Sequence, residues 1–253
     1  MILRLLACLF VLLALPAQAA EKVVAGLSRE SIGITASFDG SEILIFGAVK
    51  RYAPEPEGPL DVIVTLEGPQ GPVTVRRKSR QMGIWINTGS VEIPSAPSYY
   101  AVATTRPERD FLAHEVDEIY RITIPQALRN YTNATERANA APYAEALQRI
   151  RVSHGLYKDN PGDVKLLDDT LFRADFSLPA NLIEGDYTVR IFLVRKYRVI
   201  DEYSAPVTVR KVGLERWLFM LSQTYPPLYG IMSLALAVLA GWAANALFRR
   251  FLS

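Results

Sequence analysis

The sequence predicts a mainly β protein: an immunoglobulin-like β-sandwich region, a second β unit with an inserted amphipathic helix, and one C-terminal transmembrane helix. Three observations carry that class. Short β-branched and aromatic runs alternate with turn residues over 23–106 and resume after residue 170. A helical period interrupts them between. An uncharged apolar run over 228–248 is followed at once by Arg249 and Arg250.

The chain opens with the parts of an export signal. Arg4 lies in a short n-region, residues 5–15 are apolar, and Pro16-Ala17-Gln18-Ala19 supplies the small-x-small pattern of a cleavage site. Residues 1–19 therefore read as a signal peptide cut after Ala19. Leu5-Leu6-Ala7-Cys8 superficially matches a lipoprotein box, but it precedes the end of the apolar stretch, so lipidation there would leave no usable signal.

Residues 20–106 read as the first, sandwich-like domain. The runs 32–37, 42–49, 61–67, 73–78, 84–87 and 99–104 are candidate strands. Asp39-Gly40, Gly68-Pro69 and Thr88-Gly89-Ser90 punctuate them as turns. Val62, Val64 and Leu66 share one face of a half-buried strand, whereas the continuous Ile43-Leu44-Ile45-Phe46 predicts cover on both sides.

Residues 107–212 read as the helix-containing second β region. Tyr143, Leu147 and Ile150 follow a helical period; Pro142 suits a first turn and Gly155 a stop, which predicts a helix over 141–154. A shorter helix is expected around 111–119. Strands resume at 171–178, 186–195, 198–203 and 207–212 after a turn over 159–163. Whether the two β regions are separate domains is not decided by sequence.

Residues 213–227 form a juxtamembrane stretch. Leu214, Trp217, Leu218 and Leu221 on one side predict an interfacial helix that feeds the span through Pro226-Pro227, the plainer reading being an ordinary surface helix. The span itself, 228–248, reaches roughly 31 Å at 1.5 Å per residue, close to the hydrocarbon thickness. Its eight Leu, Ile, Val and Phe residues favour insertion by about 2 to 5 kcal/mol at most. Tyr225, Tyr229 and Trp242 suit the interfaces, and Arg249-Arg250 place the 249–253 tail in the cytoplasm. The expected location is the bacterial inner membrane, single-pass, with the bulk in the periplasm.

Charge and thiol content exclude several function classes. Removing Arg4, Arg249 and Arg250 from the 28 Lys and Arg leaves 25 against 26 Asp and Glu, a net charge of about −1 outside. No nucleic-acid partner is implied, because phosphate binding needs a clustered positive surface. The only cysteine, Cys8, leaves with the signal, so the mature chain has no thiol for disulfides, nucleophilic catalysis or metal ligation.

No catalytic, cofactor-binding or metal-ligating set stands out, and the chain is expected not to be an enzyme. His114 and His154 lack zinc-pair spacing; His114 with Glu115, Asp117 and Glu118 reads as a solvated face, and His154 as a residue at a helix C-terminus. Asp159, Asp163, Asp168 and Asp169 lack calcium-loop spacing and read as turn and cap residues. Paired carboxylates that converge only in space would leave no trace in sequence. Asn130 and Asn133 match glycosylation sequons but read as loop formers.

Two groups of residues point to binding. Ser233, Ala237 and Gly241 recur every four residues with Asn245 beyond, which predicts a helix-packing face in the membrane. Arg76, Lys78 and Arg80 are candidate contacts for a small anion, against the plainer reading of a charged strand that resists edge pairing.

Gly83-Ile84-Trp85-Ile86-Asn87, Tyr99-Tyr100-Ala101-Val102-Ala103, Leu171-Phe172-Arg173-Ala174, Gly185-Asp186-Tyr187, Leu228-Tyr229-Gly230 and Gly241-Trp242 together resemble an uncharacterised family of transmembrane proteins of alphaproteobacteria. The resemblance spans nearly the whole mature chain. It implies a signal-bearing, periplasm-facing protein with one C-terminal span and brings no residue roles with it. It also points to a transporter accessory role, with a sulfite or organosulfonate exporter as partner. The chain is thus expected to act by interaction with the bilayer and another inner-membrane protein, the alternative being a tethered small-anion binding or sensing module.

Overall fold

The computed structural model describes residues 21–35, 38–128, 134–211 and 214–251. The expected signal peptide and the Asn130 and Asn133 sequons lie outside the described residues. The described chain is mainly β, with helices in the middle and at the end.

The strands are β1 (Glu21–Leu27), β2 (Ser31–Ile34), β3 (Ser41–Arg51), β4 (Leu60–Glu67), β5 (Gln70–Gln81), β6 (Ile84–Pro97) and β7 (Tyr100–Thr104), then β8 (Tyr157–Pro161), β9 (Lys165–Leu167), β10 (Leu171–Leu178), β11 (Gly185–Arg195) and β12 (Arg198–Lys211). Between β7 and β8 lie a short 3-10 turn (Glu108–Asp110) and the helices α1 (His114–Tyr120), α2 (Ile124–Ala127) and α3 (Ala134–Ser153). After β12 come α4 (Leu214–Thr224) and α5 (Pro226–Phe251).

A four-stranded sheet has the order β1-β3-β10-β9, and a six-stranded sheet the order β2-β12-β11-β4-β7-β8. Strands from before and after residue 107 pair in both: β3 with β10, and β4 with β11. A boundary at 106/107 would therefore cut through both sheets, and the expected partition into 20–106 and 107–212 does not match the hydrogen-bonded architecture. One continuous core joins the two sheets, with Val23, Ile43, Ile45, Phe172 and Phe176 from one and Val64, Leu66, Val189, Ile191 and Val209 from the other.

Which strands are covered on both faces reverses the sequence expectation. In β4 every residue from Leu60 to Leu66 is buried, because β11 and β7 flank it, one face meets the four-stranded sheet, and the other lies under α1 and α2. Tyr120 packs edge-on against Phe192, which is opposite Ile63 in the ladder, and the Tyr100 hydroxyl donates to the Ile122 carbonyl at 2.8 Å. In β3, by contrast, Ile43 and Ile45 point inward while Phe46 is exposed.

Other boundaries differ too. β1 was not anticipated. Asp159 and Asn160 lie in β8 instead of a turn, and 198–211 is one strand instead of two. The turn expected at Thr88-Gly89-Ser90 lies inside β6, and the chain reverses at Met82-Gly83, where both residues have positive φ (49° and 85°), as a two-residue type I′ hairpin requires. α3 begins seven residues before the expected start, so Pro142 lies inside the helix and not in its first turn. The C-terminal end matches expectation: Gly155, at φ 68°, follows the last turn, and Leu156 N–H returns to the Arg151 carbonyl.

Buried charges fasten the two sheets together. Glu21 of β1 is 2% exposed and accepts from Arg195 of β11 through Nε at 3.1 Å and Nη2 at 2.9 Å, and from Arg51 Nε at 2.9 Å. Arg195 Nη1 is satisfied by the Pro56 and Gly58 carbonyls. The Val23 amide donates to Asp201 of β12 at 2.7 Å, a second link between the two sheets.

α5 is long and apolar enough to cross a membrane, with its candidate span over Pro226–Ala246, and none of that span is buried against the rest of the chain. Among the described residues it is the one such helix. Only Tyr225 separates it from α4, and Pro226-Pro227 occupy its first turn, where the missing N–H groups cost nothing.

Truncating Glu21 leaves Arg195 buried without its partner. Glu21→Ala is expected to destabilise the fold by about 3 to 5 kcal/mol in denaturant titrations, and Glu21→Ala with Arg195→Met should recover part of that loss. Gly47→Ala is expected to cost about 1 to 3 kcal/mol in the same measurement, because a Cβ there would lie 2.6 Å from the Val24 carbonyl oxygen and 2.5 Å from Phe172.

Candidate functional site

Helices and sheet edge enclose a cavity of about 450 Å³. Val102 of β7, Ile124 and Pro125 of α2 and Val152 of α3 give it an apolar wall. Gln148, Glu108 and Asp159 supply polar groups. The two carboxyls are far apart in sequence and meet because β8 runs parallel to β7, with Asp159 beside Val102, while Glu108 sits in the 3-10 turn that follows β7.

That turn is held firmly. Asp61, 4% exposed on β4, accepts Arg106 Nε at 2.8 Å and Nη2 at 2.7 Å, and the Arg106 guanidinium lies 5.3 Å from the ring of buried Phe111. The Leu112 amide returns to the Glu108 carbonyl at 2.8 Å. Burial pushes the Glu108 carboxyl above its ordinary value; the Asp159 charge and a hydrogen bond with Asp159 push the same way, while the Thr104 hydroxyl opposes. His114 and His154 are exposed and do not line this cavity, and no group of three or more metal-ligating side chains exists among the described residues.

The acidic stretch at His114 has a structural explanation that the sequence reading missed. Asp117 is 7% exposed and accepts from the Ile122 amide at 3.1 Å, the Thr123 amide at 2.8 Å and the Thr123 hydroxyl at 2.7 Å. Expected on a solvated face, it instead closes the turn from α1 to α2, where Arg121 takes the left-handed conformation at φ 53°. His114 and Glu118 do remain at the surface, 3.7 Å apart.

The candidate anion contacts lie elsewhere. Arg76, Lys78 and Arg80 sit on β5 in a two-stranded ribbon with β6, all exposed, and line neither the 450 Å³ cavity nor a smaller one of about 180 Å³ beside Arg121 and Arg190. Arg80 Nε reaches the Gly83 carbonyl at 3.3 Å. A bulge at Thr88, between the pairs Arg77–Gly89 and Lys78–Asn87, breaks the simple alternation of faces.

Ser233, Ala237, Gly241 and Asn245 lie at four-residue intervals on α5, and all four are exposed. A Cβ at Gly241 would meet nothing within 4 Å. The Ser233 hydroxyl is turned inward, donating to the Tyr229 carbonyl at 2.9 Å, so the ridge offers shape more than polarity.

The chain belongs to the family described as "Putative transmembrane protein (Alph_Pro_TM)", which matches residues 22–250. No curated protein matches it. Among solved structures it is similar to Spo0M, a sporulation control protein from Bacillus subtilis (11% identity, TM-score 0.28, over 81% of this chain and 56% of that one). It is also similar to a bacterial adhesin from Mobiluncus mulieris (7% identity, TM-score 0.26, over 76% and 58%). The chain thus spans little more than half the length of either, and likeness at this level does not extend to function.

Because the folded-state pKa of Glu108 is raised, the unfolded chain binds fewer protons at this group as pH climbs above the usual glutamate value of 4.5. The stability it contributes is complete below that value and is lost as pH rises through the raised one. Melting temperatures of full-length Glu108→Gln across mildly acid pH should therefore fall less with rising pH than those of the parent protein.

Proposed function

We propose that the protein is a membrane-tethered interaction module, its β body in the periplasm and its C-terminus in the cytoplasm, acting as an accessory to another inner-membrane protein. The observation that carries the reading is α5: a helix of membrane-crossing length none of whose span residues is buried against its own chain. Such a helix needs lipid or another helix as its partner. Its ridge of Ser233, Ala237 and Gly241 lets a second backbone approach closely, and Asn245 offers a hydrogen bond across the interface. Gly241 serves no packing need within this chain, since the space around it is open. A sulfite or organosulfonate exporter is the partner class favoured by the sequence resemblance.

A photo-crosslinking residue at Ala237 in native membranes is expected to capture a second membrane protein. Gly241→Leu should reduce that product by about 5- to 30-fold, the equivalent of about 1 to 2 kcal/mol of helix pairing. Recovery of the monomer alone, unchanged by the substitution, would refute this reading.

A further inference from the structure

β5 and β6 continue the β4–β7 ladder beyond the edge of the six-stranded sheet. Glu67 pairs with Tyr100, the Gly68 amide donates to the Tyr99 carbonyl, the Ser98 amide donates to the Pro69 carbonyl, and Gln70 then pairs with Pro97. The root of the ribbon is fixed: Val75, Ile93 and Ala96 are buried, Arg151 of α3 reaches the Ser98 carbonyl, and a Cβ at Gly89 would lie 2.8 Å from the Tyr143 hydroxyl. Beyond that support the ribbon stands free.

Its tip is apolar where a soluble hairpin would be polar. Met82 is 104% exposed, Ile84 65%, Trp85 69% and Ile86 37%. Met82 occupies the first position of a type I′ turn, where its positive φ favours Asn or Gly. An apolar side chain is thus held at the most exposed point of the ribbon against the local backbone preference. Directly behind it come Arg76, Arg77, Lys78 and Arg80, all exposed, and β5 carries no acidic residue. These four cations stand out from an exported remainder of 21 basic and 26 acidic residues, a net charge of about −5.

The topology brings this ribbon to the end of the body from which the anchor departs. Pro69, at the root, lies where a Cβ on Gly185 would clash at 2.7 Å, and Gly185 pairs with Val209, two residues before β12 ends at Lys211. The chain enters α4 at Leu214. The 12 residues of β5, at about 3.3 Å each, give the ribbon roughly 40 Å of reach, more than the roughly 16 Å length of the 11-residue α4.

We infer that the β5–β6 hairpin is a membrane-docking finger: Met82, Ile84 and Trp85 insert into the headgroup region of the leaflet facing the body, and Arg76, Arg77, Lys78 and Arg80 lie on anionic phospholipid headgroups. Aromatic and apolar groups at the interface with cations beside them match the chemistry of an anionic lipid surface. With α5 as a second attachment, binding of the finger is an intramolecular event and needs little affinity of its own. The inference requires only that α5 crosses the membrane; it does not depend on a protein partner.

The test uses the full chain with Trp217→Phe and Trp242→Phe, which leaves Trp85 as its remaining tryptophan. In phosphatidylcholine vesicles containing phosphatidylglycerol, Trp85 emission is expected to shift to the blue and to be quenched by lipids brominated on their acyl chains. Each Arg or Lys replaced by Gln in the stem should lower the inserted population by about fivefold, and Met82→Asn with Ile84→Thr should abolish quenching. A dye at Met82→Cys in the chain with its native tryptophans provides a readout independent of the tryptophan substitutions. Water-like emission from both probes, unchanged by phosphatidylglycerol, would overturn the inference, as would a shift seen only in native membranes, which would give the tip to a protein. Retention of the chain in the vesicles after alkaline washing reports on the anchor separately.

Discussion

The constraint on which the rest of the molecule depends is the burial of the β4–β11 ladder on both faces. Val62, Val64 and Leu66 lie opposite Leu193, Ile191 and Val189 and face the four-stranded sheet, while Ile63 opposite Phe192 faces the helices. A strand pair with no solvent face must be covered twice, which fixes where the four-stranded sheet and the α1–α2 segment can sit. It also makes polar groups on those strands costly unless they find partners. Most find them: Asp61 takes Arg106, and Arg190 donates to the Tyr120 carbonyl at 2.8 Å, whereas the Thr65 hydroxyl and Arg190 Nε are buried without a partner.

The same ladder sets the placement of the candidate surfaces. Carried past the sheet edge it becomes the β5–β6 ribbon, and its flanking strand β7 brings β8 alongside, so that Asp159 reaches Glu108. Four buried tyrosines hold these junctions through their hydroxyls: Tyr157 to the Pro97 carbonyl, Tyr100 to Ile122, Tyr99 to Ser177 and Tyr187 to Ile183. Each ring fills core volume while its hydroxyl satisfies a backbone oxygen, which suits tyrosine to the seam between sheet, ribbon and helices. Burial raises the pKa of Tyr99, Tyr100 and Tyr157, so these hydroxyls stay neutral donors.

Charge is sorted by role in this arrangement. Of the ion pairs that hold the fold, Glu21 with Arg195 is withdrawn from water on both sides, where a lost partner is expensive, while buried Asp61 takes an Arg106 that is 40% exposed. The cations of the ribbon are exposed and contribute little to stability, which frees them for an electrostatic task at a surface. Glu108 stands between these cases, half-buried at the mouth of a cavity beside a second carboxyl.

Local sequence was sufficient for what depends on local chemistry. The apolar run that became α5, the stop of α3 at Gly155, and the strand character of 42–49, 61–67, 171–178 and 186–195 are set by side-chain type, period and turn residues, and each recurs in the structure. The spacing of Ser233, Ala237, Gly241 and Asn245 along one helix is likewise a property of the chain alone. Tertiary structure decided the rest. Alternation in 61–67 implied one buried face and the run 43–46 implied two, yet β4 is central and β3 leaves Phe46 exposed, since burial is set by the elements that arrive on each side. Nor could periodicity reveal that β3 pairs with β10 and β4 with β11, that Glu108 meets Asp159, or that the ribbon and the anchor leave the same end of the sheet. Pairing across long separations is chosen by the global burial of apolar faces and the satisfaction of their polar groups, and that balance exists only once the chain has closed on itself.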